Sequence, residues 1–388
     1  MRATFTASLL FFCVTLTSGE EFYVLQGIDK TQPDRIITAP GVDGFSIRVS
    51  WNKLHQEGFG WLDDQIARGD EFNTKIQLRV MAGAHAPASL PGVSYFEYLS
   101  TDENGVTELR RAPVPWDAAM QLHWQTLALE LGGRYGNNQR ITIVHVPSFA
   151  NSSELHMPDE VTLLPGYSSQ VLAASWSAMA EPLAAVFPEA IISLNYATPS
   201  QSQIEESDSN WLLSELATIS VGRAGYQAND LSADVSLDRN KYQTLLAQRE
   251  LGRSIGFQMV SSSDAQRFGG DFLEAVAIGF EAGAEWLEIY AADVDRIPRP
   301  GDFNLDGSVN AADYIMWRRT LGQTGAGLVA DGNGNGSIDP VDYDVWRTHF
   351  GQTTGGSAFT SGTVPEPSTL VMLILAAAGW RIQRRRAA

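Results

Sequence analysis

The chain has 388 residues, enough for one large domain with small appendages, and its 44% hydrophobic and 19% charged residues are ordinary for a globular protein. With 27 basic against 45 acidic side chains it carries a formal charge of −18, an acidic balance that makes nucleic acid a poor partner. Cys13 is its one cysteine and lies in a segment expected to be removed, so a disulfide framework and a thiol nucleophile are both excluded.

The first element is a processing signal. Arg2 precedes an apolar stretch from Ala7 to Val14, followed by the small residues Thr17-Ser18-Gly19. A positive start, a short apolar run and small residues describe a secretory signal peptide over residues 1–19, with cleavage after Gly19.

Residues 20–297 alternate between strand-like and helix-like patterns. Strands are expected near 22–29, 44–51, 75–83, 141–149, 190–197, 217–222, 254–262 and 284–292. Helices are expected near 61–69, 116–135, 167–187, 204–216, 239–251 and 270–282. Met120, Trp124, Leu127, Leu131 and Tyr135 recur at helical spacing, as do Leu172, Trp176, Met179, Leu183 and Val186. This alternation points to a parallel α/β architecture, either a barrel or a doubly wound sheet. No glycine-rich phosphate loop follows the first strand, which favours a (β/α)8 TIM barrel over a dinucleotide fold.

The strands also carry polar residues in phase. Ser46, Arg48 and Ser50 alternate with Phe45, Ile47 and Val49, and Gln77 and Arg79 alternate with Ile76, Leu78 and Val80. The apolar set would face the helices and the polar set the barrel interior, where an arginine needs carboxylates or a ligand. Two glutamates stand near strand ends, where barrels assemble their sites: Glu154 after the fourth strand and Glu288 in the eighth, in phase with Tyr290. Glu154 is also placed to cap a turn, and Glu288 to pair with Arg48 or Arg79 as a buried ion pair. His85 and His145 lack a His-x-x-x-His partner or a third ligand, so metal catalysis is set aside.

The order of these parts resembles sugar-cleaving barrels of the cellulase and β-galactosidase type. The resemblance rests on Arg48 with Trp51 after strand two, His85 near Pro87 after strand three, Pro115-Trp116-Asp117 before a long helix, and Glu154. It implies that Glu154 is the acid/base. The family's nucleophile sits at the end of strand seven, where this chain has Gln258. Glycoside cleavage needs a second carboxyl to attack the anomeric carbon or activate water, and Glu288 is the substitute. Arg48 would hold it ionised, while Asn195, Tyr196, Gln227, Gln258 and Tyr290 would read sugar hydroxyls. Trp51, Trp116 and Tyr196 would offer stacking faces, Trp116 being equally placed as a packing residue at a helix start.

An internal repeat follows. Residues 302–324 and 331–353 align without a gap at a period of 29. Each repeat opens with oxygen-bearing side chains at alternate positions: Asp302, Asn304, Asp306 and Ser308, then Asp331, Asn333, Asn335 and Ser337. Gly307 and Gly336 stand sixth, Asp313 and Asp342 twelfth. Calcium takes six to eight oxygens at about 2.4 Å, and a twelve-residue loop with a turn-making glycine supplies them. Two calcium ions are therefore expected, each loop leading into an amphipathic helix. The paired units over 301–353 resemble a type I dockerin, which implies a cohesin-like partner. At the positions that family uses for docking, this chain has Ala311-Ala312 and Pro340-Val341 in place of hydroxyls.

The last elements are a Gly/Ser/Thr linker over 354–363 and a tail over 364–388. Pro365-Glu366-Pro367, an apolar run from Leu370 to Trp380, and Arg381 with Arg384-Arg385-Arg386 follow in that order. The apolar run is short for a stable transmembrane helix, and the arginines would stay cytoplasmic. The order resembles the PEP-CTERM sorting signal. That resemblance implies cutting by an exosortase after transient membrane anchoring, and delivery to the cell envelope, outer surface or matrix. Three functions fit the whole: a surface glycoside hydrolase acting on a polysaccharide, a non-catalytic carbohydrate-binding barrel, or a structural matrix or adhesion protein.

Overall fold

The computed structural model describes residues 20–101, 105–147, 157–304, 306–325, 328–333 and 335–352. The signal peptide, Glu154, the linker and the sorting tail lie outside the described residues. Eight parallel strands close into a barrel: β1 (Glu21–Leu25), β2 (Gly44–Ser50), β3 (Lys75–Met81), β6 (Ile141–His145), β7 (Ile191–Asn195), β8 (Ala224–Leu231), β9 (Ser254–Met259) and β10 (Trp286–Ile289). A separate antiparallel hairpin, β4 (Tyr95–Thr101) and β5 (Thr107–Pro113), interrupts the barrel after β3.

Around the barrel lie α1 (Asp34–Ile37), α2 (Trp51–Glu57), α3 (Gly60–Glu71), α4 (Ala118–Tyr135), α5 (Ser169–Val186), α6 (Pro199–Ser202), α7 (Glu206–Ile219), α8 (Asn240–Glu250) and α9 (Phe272–Glu281). Their starts follow local chemistry. Asp117 caps α4 by accepting from the amides of Ala119 and Met120, and Asp271 with Glu274 forms a capping box on α9. The expected helical stripes are buried: Met120, Trp124, Leu131, Leu172, Trp176 and Met179 are each 0% exposed. The barrel and this helical layer share one apolar core.

The expected sixth strand at 217–222 is corrected. The helix runs on through Ile219, with the Ser220 amide donating to Leu216 O and the Thr218 hydroxyl to Ser214 O. Gly222 then turns the chain at φ 71°, and the strand is 224–231. Its inward residues Gln227 and Asn229 are polar, which gave this strand the look of a loop.

The interior is layered. Toward the N-terminal ends of the strands, Tyr23, Ile143 and Trp286 form an apolar plug, with Ile191 packed against it. The plug needs strands without side chains beside it. A Cβ at Gly44 would lie 2.3 Å from the Tyr23 ring, and one at Gly256 2.1 Å from the Trp286 indole. Gly256→Ala is therefore expected to lower barrel stability by about 1–3 kcal/mol, the usual cost of overpacking, as read from denaturant unfolding.

Candidate functional site

Above the plug, the strands turn a polar layer inward. Cross-strand register sets Arg48 beside Arg79, Arg79 beside His145, and His145 beside Ser193. It likewise sets Asn195 beside Gln227 and Gln258 beside Glu288. This is the polar phase expected from β2 and β3, extended around the barrel. Glu288 is 0% exposed and accepts from Arg79 in a buried ion pair. Of the two bland partners foreseen for it, Arg79 is the one in contact. The same oxygen, Oε2, accepts from Gln227 Nε2 at 2.8 Å. Gln227 Oε1 in turn accepts from Trp286 Nε1 at 2.7 Å, so the plug orients the amide that orients the carboxylate. Glu288 Oε1 has no hydrogen-bond partner among the described residues, and neither do Gln258 Oε1, Ser46 Oγ, Ser193 Oγ and Gln77 Nε2.

His145 belongs to the same layer, its Nε2 lying 3.1 Å from Gln77 Oε1. Burial, and then the neighbouring Arg79 and Arg48 charges, hold its pKa well below the ordinary imidazole value. In the contact to Gln77 Oε1, an acceptor, Nε2–H is the donor. Sequence reasoning weighed His145 only as a metal ligand. Its place in phase with Ile143 was the available signal of an interior role.

The remaining candidates divide. Arg48, Asn195, Gln227, Gln258 and Glu288 share the interior layer, with Tyr196 buried just after β7 and Tyr290 half-buried just after β10. His85 is half-buried in the short turn Gly83–His85 that follows β3. Trp51 starts α2, is 3% exposed, and lies in a T-shaped contact with Trp124 at 5.6 Å, so it is buried in the helical layer and is not open as a stacking face. Trp116 is half-buried against Tyr167 at 6.2 Å, just before α4.

The second candidate site is the repeat. Its helices are α10 (Ala311–Thr320) and α11 (Pro340–His349), and the two halves bond alike. Asp302 accepts from the amides of Asp306 (3.2 Å) and Gly307 (2.8 Å), and Asp331 from those of Asn335 (3.1 Å) and Gly336 (2.7 Å). Asp313 accepts from Asn304 and Asn310, and Asp342 from Asn333 and Asp339. Gly307 and Gly336 take φ 83° and 77°, the left-handed turn that the sixth position requires. Asp302, Asp313, Asp331 and Asp342 are all buried. Burial chiefly, with Asp313 and Asp306 adding, raises the Asp302 carboxyl pKa; burial, with Asp331 and Asp339 adding, raises that of Asp342. Like charges gathered out of water fit a bound cation. No group of three or more His, Cys, Asp or Glu side chains among the described residues is itself arranged as a metal cluster, so the fit relies on mixed carboxylate, amide and backbone oxygens.

The halves also interlock. Trp317 Nε1 donates to Asp339 O and Trp346 Nε1 to Asn310 O, each helix reaching the opposite loop. The chain after each helix completes the other half: Gly322 and Gln323 bond Ile338, and Gly351 and Gln352 bond Val309.

Residues 300–348 match the dockerin type I domain, and residues 363–386 match the PEP-CTERM protein-sorting motif. No curated protein matches the chain. Among solved structures, a GH10 endoxylanase retrieved from sugarcane soil metagenome is 13% identical at a TM-score of 0.43, over 70% of this chain and 84% of that one. The β-galactosidase of Rahnella sp. is 15% identical at 0.43, over 72% of this chain and 52% of that one. A D-psicose 3-epimerase from Clostridium cellulolyticum is 8% identical at 0.42, over 70% and 85%. The assignment of the barrel rests on its own strand order. Among the described residues no helix is long and apolar enough to cross a membrane, and the segment read as membrane-embedded lies outside them. The chain joins an eight-stranded TIM barrel to a dockerin type I domain and a PEP-CTERM sorting motif.

Proposed function

We propose that this is an exported, surface-directed glycoside hydrolase acting on a polysaccharide at the C-terminal mouth of its barrel. The observation that carries the reading is the interior layer in which amides and hydroxyls, with Arg48 and His145, surround the buried Arg79–Glu288 ion pair. Such groups match a ligand rich in hydroxyls. Glu154 protonates the leaving oxygen, and Glu288 attacks or activates water through Oε1, its other oxygen being held by Arg79 and Gln227. Gln227 acts through Glu288, while Arg48, Asn195, Gln258 and Tyr290 meet sugar hydroxyls. Two calcium ions in the loops hold the dockerin domain for a cohesin-like partner, and an exosortase removes the tail near Pro365-Glu366-Pro367.

The full burial of Glu288, together with Gln258 at the end of the seventh strand, favours a second reading, in which the barrel binds glycan without cleaving it. One experiment separates the two. Mature protein is exposed to a panel of polysaccharides, scoring both bound glycan and released reducing ends. Release is expected on at least one, and Glu154→Gln should slow it at least about 100-fold, the scale for losing a positioned acid. Wild-type rates in that variant overturn the assignment of Glu154. Binding without release establishes the second reading.

A further inference from the structure

Because the repeat has a period of 29, each residue beside one loop has a counterpart beside the other. The same turn enters both: the Asp302 amide donates to Arg299 O at 3.0 Å, and the Asp331 amide to Leu328 O at 3.1 Å. The residues making that turn differ sharply in chemistry. Leu328 is half-buried against the small core of Phe303, Trp317, Ala330 and Ile338. Arg299 is 4% exposed, and its Nε and Nη1 have no hydrogen-bond partner among the described residues. The carboxylates that act on its charge are those of Asp295 and Asp302, the latter the first residue of the loop.

Total loop charge does not distinguish the two halves, since Asp302, Asp306 and Asp313 in one are matched in number by Asp331, Asp342 and the helix-capping Asp339 in the other. The buried guanidinium does. A buried positive charge beside a ligating carboxylate both repels an entering dication and loses part of its own compensation when that carboxylate turns to the metal. We propose that Arg299 makes loop 302–313 the weaker of two unequal calcium sites, so that the module fills in two steps, loop 331–342 first. This rests on the reading that both loops bind calcium. The late-filling loop is also the one against the barrel: Asp302, Asp306 and Gly307 line a groove whose other wall is Asp271, Leu273 and Pro298.

Calorimetric titration of the mature chain with calcium alone tests the inference. Two steps are expected, separated by roughly tenfold or more in affinity, an order-of-magnitude figure for a nearby buried like charge. Asp302→Ala should remove the weak step and Asp331→Ala the strong one. Arg299→Leu, which copies the second half, should tighten the weak step by about tenfold and leave the strong one in place. The reciprocal Leu328→Arg should weaken the strong step, and keeps the test decisive if Arg299→Leu fails to fold. Equal affinities in the wild type, a weak step that maps to loop 331–342, or a weak step unmoved by Arg299→Leu would overturn the proposal. Absence of binding at either loop in folded protein would instead remove the calcium reading beneath it.

Discussion

Glu288→Ala is expected to lower the stability of the barrel by about 3–5 kcal/mol, the cost of removing one partner from a buried ion pair. The carboxylate is 0% exposed and takes two donors on one oxygen, Arg79 and Gln227 Nε2. Alanine would leave the Arg79 guanidinium in a low-dielectric interior without the Glu288 carboxylate, and would remove the acceptor that Gln227 holds at the end of its chain from Trp286. Denaturant unfolding of the variant beside wild type measures the loss. Replacing both members, Arg79→Met with Glu288→Leu, should recover most of it, because the desolvation of both charges is then removed as well. A loss below about 1 kcal/mol in the single variant, the range of exposed pairs, would mean that water reaches this pair. The outcome bears on function, since a carboxylate needed for the fold is less free to do chemistry than one the fold can spare.

Chelation of calcium is expected to unfold residues 301–353 and to leave the barrel standing. Among the described residues, Phe303, Trp317, Ala330 and Ile338 form the apolar cluster of the dockerin domain, and modules below about 70–80 residues seldom hold together on a core alone. A site at a thousandfold excess of ligand over its Kd contributes about 4 kcal/mol to the folded state, so two such sites together exceed what so small a core supplies. The barrel core is a separate cluster and shares no residue with this one. Circular dichroism in the aromatic region, followed with and without chelator, should lose the signal of the Tyr314, Trp317, Tyr343 and Trp346 ring cluster while cooperative barrel unfolding persists. A domain that keeps its aromatic signal in chelator would refute this dependence on metal.

Much of this was legible in the sequence, and what was not has physical reasons. The long helices α4 and α5 were visible because a helix between barrel and solvent must carry an apolar stripe at its own period. The polar phase of β2 and β3 foretold the interior layer. The strand at 224–231 was missed for the same cause, since polar residues facing inward erase the apolar signature of a buried strand. The hairpin β4–β5 was missed because only Phe96, Tyr98, Ala112 and Pro113 are buried along it, while Leu99 and Leu109 are 63% and 65% exposed. Trp51 looks alike in sequence whether it stacks on sugar or packs on Trp124, and only the placement of α4 decides. Glu154 lies outside the described residues, so its pairing with Glu288 stands as a proposal.

The interlocking of the dockerin halves bears on how such a module could arise. Each loop is closed by chain from the other half, Val309 by Gly351 and Gln352, Ile338 by Gly322 and Gln323, and each tryptophan finds its acceptor across the divide. One unit of 29 residues is thus not a smaller dockerin but an incomplete one. On its own it would satisfy these bonds only by pairing with a second copy of itself, as an isologous dimer. Gene duplication would then have tethered a partnership that the geometry already demanded, and the divergence of Arg299 from Leu328 became possible only once the two copies were no longer the same molecule.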